Sequence, residues 1–163
     1  MKAQSSIEQL MTYSWSILVV MLALAALFWL GVVNPSALVT PYCSFTTDVQ
    51  CASYSINTTG NFTLDLKQDT DHDITVTHVR CTQEKEVLLN DSDLLSEPVA
   101  IPMGSHAELA TGGKSCMAYS PGGTSVATGS TGNAFKGYFY VEYHETETGF
   151  EHVTVGEVLM KFN

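Results

Sequence analysis

The stretch that decides the fold is residues 4–33, QSSIEQLMTYSWSILVVMLALAALFWLGVV, a short polar segment with one carboxylate followed by a long apolar run. From Trp15 to Val33 the run has no charged residue and only two weakly polar interruptions. A helix of about 20 apolar residues crosses a hydrocarbon core about 30 Å thick, and Pro35 cannot continue a helix. The stretch therefore predicts one long N-terminal hydrophobic helix over residues 4–33 that can cross a membrane.

Glu8 is the only acidic residue of this stretch, and no Lys or Arg occurs between Lys2 and Lys67. A buried carboxylate is destabilising unless it is paired. If the chain is cut before Gln4, Glu8 becomes the fifth residue of a chain with a free α-amino group. The amine of a neighbouring copy could then pair with Glu8, and such a pair would fix the register between subunits.

The N-terminal residues carry a family resemblance. A basic residue and an alanine precede a glutamine, and serine, glutamate and leucine follow at alternate positions: Lys2, Ala3, Gln4, Ser6, Glu8 and Leu10. This pattern, directly before a long apolar helix, resembles the class III signal peptide of archaeal type IV-like pilins. The resemblance covers about the first fifth of the chain.

The resemblance implies cleavage between Ala3 and Gln4 by a prepilin peptidase. It implies that the helix is membrane-embedded before assembly, that a membrane platform takes part in assembly, and that the helix then becomes the core of a homo-oligomeric surface filament. Gln4 and Glu8 would be the assembly residues. The implied divisions are 1–3 as cleaved signal peptide, 4–33 as helix, 34–42 as hinge and 43–163 as extracellular β-domain.

Other interpretations of the same stretch compete with this one. A cleaved secretory signal has an apolar region of about 7–15 residues and a small-residue cleavage site, whereas this run is longer and ends in Val-Val-Asn-Pro. An uncleaved single-span anchor remains open on length alone. A buried helix of a soluble protein is disfavoured, because the run is apolar around its whole circumference.

The remainder of the chain is strongly acidic. The full chain has a formal net charge of −10, and the Lys2 and Glu8 charges cancel, so the part after residue 34 also carries −10. A domain this acidic is a poor candidate for binding nucleic acid. Lys2 on the N-terminal flank favours a cytoplasmic N-terminus, and the domain is then outside.

Four cysteines agree with an outside location. No two of these cysteines are spaced as C-x-x-C, so a zinc ribbon is not indicated. The four are Cys43, Cys51, Cys81 and Cys116. In an extracellular domain two disulfides are expected. Four cysteines can pair in three ways, and the sequence alone does not decide which of the three forms. The short separation of Cys43 and Cys51 favours the pairing Cys43–Cys51 with Cys81–Cys116.

Three N-x-[ST] sequons begin at Asn57, Asn61 and Asn90. Each tripeptide is weak evidence alone, but three in one extracellular domain raise the expectation of surface N-glycosylation. The alternative, left open at each site, is that these are ordinary turn residues. Archaeal filaments of the resembled family are often glycosylated, so the resemblance implies a glycoprotein.

Beyond the hinge the sequence has the period-two alternation of β-strands. Residues 62–66 and 74–77 alternate around a polar segment, 68–73, that is typical of a hairpin loop, and residues 135–144 and 150–162 form the strongest hairpin signal, expected at the sheet centre. Shorter candidates lie near 53–57, 86–89, 98–101, 106–110, 115–119 and 124–128. The expected fold class is α+β, one long N-terminal hydrophobic helix plus a C-terminal antiparallel β-sandwich or barrel.

The sequence offers little chemistry. It has no H-E-x-x-H, G-x-S-x-G, phosphate-loop or EF-hand pattern, so no enzyme, cofactor or metal site is predicted. His144 and His152 could face each other across the last hairpin, and an Asp-rich stretch, 65–73, could gather Ca²⁺, but solvated charged side chains are the favoured interpretation of both.

The predicted function is therefore a structural pilin subunit of an extracellular adhesion filament. The alternatives are a minor pilin and a membrane-anchored extracellular binding domain.

Overall fold

A computed structural model describes residues 3–29, 39–47, 49–85, 87–110 and 113–163, with side chains in the helix described at Met11 and at 13–29. The chain divides into two compact units, Met1–Leu38 and Val39–Asn163. The described part of the first unit is a single helix. The regular elements described in the second unit are β-strands and one short 3-10 helix.

Among the described residues, the regular elements are one helix and ten strands, together with a short 3-10 helix at Asp91–Asp93. In chain order they are α1 (Ala3–Trp29), β1 (Tyr42–Phe45), β2 (Val49–Ile56), β3 (Phe62–Gln68), β4 (Ile74–Thr82), β5 (Leu94–Ile101), β6 (His106–Glu108), β7 (Met117–Ser120), β8 (Gly123–Val126), β9 (Ala134–Glu145) and β10 (Glu151–Lys161).

The α+β prediction with a long membrane-crossing helix is wrong, because the structure is mainly β. Within the described residues, no helix combines the length and the hydropathy needed to cross a membrane. The apolar part of α1 from Trp15 to Trp29 rises only about 22 Å, against roughly 30 Å of hydrocarbon. Residues 30–33, which were expected to extend the helix, lie outside the described residues.

The strands form two sheets that share one hydrophobic core. The larger sheet has the order β1-β10-β9-β4-β7-β8, with β5 also paired to β4, and the smaller has the order β2-β3-β6. Alternate residues of β3 are buried, as the period-two pattern predicts. Phe62 of the smaller sheet contacts Phe139 of the larger sheet, with ring centroids 5.2 Å apart. The β-domain is therefore a two-sheet sandwich.

The hairpin of β9 and β10 lies inside the larger sheet, between β4 and β1, as its strong alternation predicts. Eleven consecutive residue pairs, from Glu151↔His144 to Lys161↔Ala134, define its register. The turn between the strands is closed by the Gly149 amide, which donates to the carbonyl of Glu145 at 2.9 Å. This long ladder explains why the pattern was readable from the sequence.

Other strand predictions need correction. Residues 62–66 and 74–77 do not form a hairpin, since β3 belongs to the smaller sheet and β4 to the larger one. Residues 87–89 are not a strand, and residue 86 lies outside the described part. Tyr42, assigned to the hinge, begins β1, whereas most of that hinge is outside the described residues. The sheet is also not purely antiparallel, because β4 and β7 pair in parallel at Thr82↔Met117.

Candidate functional site

The predicted cleavage and assembly residues lie at the start of α1. The helix begins at Ala3, so Gln4 and Glu8 both lie in its first turns. A separation of four residues places them on the same face of a helix. Their side chains lie outside the described residues, so the proposed pairing of Glu8 with an amine is not visible in this structure.

The most unusual feature of α1 is its exposed apolar surface. All of its described side chains are exposed, and Trp29 is 91% exposed, Met11 74% and Trp15 69%. None of these described side chains carries a charge. Soluble monomers rarely expose a contiguous apolar patch of this kind, and such patches mark interaction surfaces.

One face of the helix is shaped as a shallow groove of about 290 Å³. Its lining residues follow a spacing of three or four along the chain: Tyr13, Ser16, Ile17, Val20, Met21 and Leu24. This is the spacing at which side chains share one helix face, and ridges with this spacing pack into the grooves of another helix. The small residues Ala23, Ala25 and Ala26 are also in the exposed helix, whereas Gly31 lies outside the described residues.

The expectation of two disulfides is confirmed. Cys43 is bonded to Cys51, and Cys81 to Cys116, which are the pairs favoured from the sequence. The first bridge joins β1 of the larger sheet to β2 of the smaller sheet. The second joins β4 to the segment just before β7, where Cys116 is fully buried.

The sequon residue Asn57 forms a tight polar turn between β2 and β3. Its side-chain oxygen accepts hydrogen bonds from the Thr59 amide at 3.0 Å, the Thr59 hydroxyl at 2.7 Å and the Asn61 amide at 2.9 Å. Asn57 itself is exposed. The turn interpretation of this sequon and its use as a glycan site are therefore compatible.

The other two sequons differ from each other in exposure. Asn90 is exposed, and its side-chain oxygen accepts from both the amide and the hydroxyl of Ser92. Asn61 is half-buried, and its side-chain oxygen accepts from the Ser115 hydroxyl at 2.7 Å. The structure thus separates two exposed asparagines, Asn57 and Asn90, from one that is half-buried.

The histidines of the last hairpin do not face each other. His144 lies opposite Glu151, and His152 lies opposite Tyr143, whose ring stacks on the imidazole with centroids 5.4 Å apart. Because a one-residue offset in a strand points side chains to opposite faces, His144 and His152 are directed apart. Across the described residues, no group of three or more His, Cys, Asp and Glu side chains is arranged to hold a metal ion.

The Asp-rich stretch is divided among separate partners. Asp65 lies 3.0 Å from His106 Nδ1 and Asp69 lies 2.9 Å from Lys67 Nζ, while Asp73 accepts a hydrogen bond from the Met103 amide at 2.7 Å. Each of these three carboxylates is thus engaged with a different part of the chain. The favoured interpretation as individual charged side chains agrees with this arrangement.

Sequence reasoning missed two cationic residues that the structure brings together. Arg80 precedes Cys81 directly, and Lys114 lies two residues before Cys116. The Cys81–Cys116 disulfide therefore places both cations at one location, where they line a common cavity. The favoured cysteine pairing was the signal that could have found them.

No family model, no curated protein and no solved structure matches this chain.

Proposed function

We propose that this chain is a structural pilin subunit that assembles through α1 into an extracellular filament used for surface attachment. The observation that carries the proposal is the exposed apolar surface of α1, which has no charge among its described side chains. The Gln4, Ser6, Glu8 and Leu10 pattern at the start of that helix supports it.

The occupant of this surface in the proposal is a second copy of the same helix. Identical helices with residues such as Ile17, Val20 and Leu24 on one face can interdigitate their ridges and grooves. Burial of apolar area stabilises such a contact by roughly 25 cal/mol for each Å² removed from water. A repeated contact between different faces does not close, so it produces an open helical polymer.

In this proposal a prepilin peptidase cuts between Ala3 and Gln4 before assembly. The new α-amino group of Gln4 then pairs with Glu8 of a neighbouring subunit, which neutralises a carboxylate inside an apolar helix bundle. Removing one partner of such a buried pair costs about 3–5 kcal/mol. The pair would therefore set the register of the subunits as well as their affinity.

The first test is the N-terminal mass of the chain recovered from cell-surface material, combined with electron microscopy of that material. The proposal expects a chain that begins at Gln4 and is found in filaments. A chain that begins at Met1 and is recovered as single subunits would overturn the proposal and favour a membrane-anchored binding domain.

The second test compares two Asp substitutions of exposed aliphatic residues. Ile17→Asp places a charge on the groove face of α1, and Leu88→Asp makes a similar change in a loop where the side chain is 90% exposed. We expect Ile17→Asp to lose filaments and Leu88→Asp to keep them. Separately, we expect Glu8→Ala to assemble poorly while its β-domain stays folded. Normal filament yield from Ile17→Asp would contradict assembly through this face.

A further inference from the structure

The β-domain contains a cavity that the pilin proposal does not use. It has a volume of about 420 Å³ and lies beside the Cys81–Cys116 disulfide. Cavities of about 300–1,000 Å³ are the usual size for small-molecule sites. The cavity belongs to the β-domain alone, so its role is independent of assembly through α1.

The cavity carries surplus positive charge. Arg80 and Lys114 are two of only seven basic residues in a chain of net charge −10, and both line the cavity. Asp93 is the acidic residue in the lining, and its carboxylate lies 3.3 Å from Arg80 Nη1. Two cations against one carboxylate leave one positive charge without a counter-ion among the lining residues that the structure describes.

Neither cation is fully satisfied by its surroundings. The side chain of Arg80 is only 16% exposed, and its buried Nε–H has no hydrogen-bond acceptor. Lys114 Nζ donates to the Ser92 carbonyl at 3.0 Å, a bond to a neutral group. Burial lowers the pKa of Lys114, although the Asp93 charge acts in the opposite direction. An anion in the cavity would supply a negative charge beside Lys114 and an acceptor for the Arg80 Nε–H.

The rest of the lining suits a ligand with a polar body. Hydroxyl side chains are contributed by Ser92, Ser115 and Thr124, and an apolar part is contributed by Phe62 and Met117. A sugar ring presents hydroxyls at its edge and C–H groups on its faces, so it matches this mixture. A lone oxyanion would leave most of the volume unfilled.

We propose that this cavity binds an anionic monosaccharide, with its carboxylate held between Lys114 and Arg80 and its hydroxyls bonded to the polar lining. Charge-assisted hydrogen bonds to a carboxylate are about twice as strong as neutral ones, so the acid group provides most of the selectivity. The same chemistry is offered by a free sugar acid and by an acidic residue at the end of a polysaccharide.

The test is calorimetric titration of the full-length chain, made in a host that does not glycosylate sequons and kept in a non-ionic detergent. Glucuronate is the probe, glucose is its neutral counterpart, and inorganic phosphate tests the anion alone. We expect glucuronate to bind at least about tenfold more tightly than glucose or phosphate, as expected for one charge-assisted contact. Equal affinity for glucose, equal affinity for phosphate or no saturable binding of glucuronate would each overturn the proposal.

Two Lys→Gln variants locate the site. Lys114→Gln removes a cavity charge, and Lys67→Gln removes an equal charge from a residue paired with Asp69 outside the cavity. We expect the first variant to weaken glucuronate binding about tenfold and the second to change it by less than about twofold. Equal effects of the two variants would show a general charge effect and overturn the assignment. A glucuronate-capped oligosaccharide then distinguishes the free sugar from the polysaccharide end.

Discussion

Ser115 Oγ donates a hydrogen bond to Asn61 Oδ1 at 2.7 Å, and the same two residues form an antiparallel backbone bridge. The contact joins the start of β3 to the segment that contains Cys116. Asn61 is therefore held by its backbone and its side chain together. The half-buried position of Asn61 at this bridge bears directly on which sequon can carry a glycan.

We predict that Asn57 and Asn90 carry N-linked glycan and that Asn61 does not. The first two are exposed, whereas Asn61 is half-buried and bridged to Ser115 through its backbone, so attaching a glycan to its Nδ2 would require this packed position to open. Glycopeptide mass spectrometry of native surface material measures the occupancy of each site. Higher occupancy at Asn61 than at Asn57 would contradict the prediction.

A second prediction concerns Gln68, a fully buried polar residue at the end of β3. Its Nε2 donates to the carbonyls of His72 and Ile101, each at 3.1 Å, and its Oε1 accepts from the Thr70 amide at 3.1 Å. Gln68→Met keeps the length but removes every one of these bonds. A buried unsatisfied group costs about 1–3 kcal/mol. Only the Ile101 carbonyl belongs to a buried residue, since Thr70 and His72 are half-buried and can bond to water, so we expect a loss of roughly 2–4 kcal/mol in total.

The matched control for this prediction is Gln50→Met, the same change at an exposed position in β2. Surface substitutions usually change stability by no more than about 0.5 kcal/mol. Urea unfolding of the full-length chain, followed by circular dichroism of the β-sheet, compares the two variants. If Gln68→Met were as stable as Gln50→Met, the polar network around residues 68–72 would have no net stabilising role.

Gln68 also illustrates what the sequence could and could not reveal about the fold. Period-two alternation correctly located β3, β4, β9 and β10, because alternation reports which side chains face the core. It does not report which strand lies alongside, so the polar segment after Gln68 was interpreted as a hairpin loop. In the structure that segment crosses from one sheet to the other, and the bond from Gln68 to Ile101 depends on a contact 33 residues away.

The same limit applies to the helix and the sites. Composition found the apolar stretch, but the length of helix that forms and its exposure are properties of the folded chain, and the membrane-crossing prediction was wrong. β1 was missed because its partner β10 lies more than 100 residues later. Neither Arg80 nor Lys114 could be predicted as a cavity residue from the sequence alone. They lie in segments that are distant in the chain and that the Cys81–Cys116 disulfide joins.

A third prediction concerns pH and the carboxylate of Glu157 on β10. Lys136 Nζ lies 2.8 Å from its Oε1, and the Tyr42 hydroxyl donates to the same oxygen at 2.7 Å. The bond from Lys136 and then the bond from Tyr42 hold the pKa of Glu157 below its ordinary value of 4.5. The stabilisation is therefore fully present above about pH 4.5, the unfolded value, and is lost as pH falls through the folded pKa.

Carboxyl-carbon NMR titration of the full-length chain measures the pKa of Glu157 directly. We expect a midpoint for Glu157 below 4.5 and an upward shift in Lys136→Met, because that variant removes the first cause of the lowered pKa. Lys67→Met, which removes a charge paired with Asp69, should leave the midpoint unchanged. A Glu157 midpoint at or above 4.5 in the wild-type chain would contradict the proposed network.

The fourth prediction separates two reasons why a glycine is required at position 60. Gly60 has a φ of +89°, and a Cβ added there would lie 2.4 Å from the carbonyl oxygen of Ala127. A positive φ costs an L-residue roughly 1–2 kcal/mol, and forced shifts in a packed region cost about 1–3 kcal/mol more. We therefore expect Gly60→Ala to lower the free energy of unfolding by about 2–5 kcal/mol, measured by urea unfolding.

Two other glycines resolve this sum into its parts. Gly104 has a φ of +70° with no atom within 4 Å of an added Cβ, and Gly122 has open space around its Cβ without a positive φ. Gly104→Ala should therefore show the backbone cost alone, roughly 1–2 kcal/mol, and Gly122→Ala should change stability by no more than about 0.5 kcal/mol. If Gly60→Ala and Gly104→Ala were destabilised equally, the approach of Ala127 would contribute nothing, and only the turn conformation would require glycine at position 60.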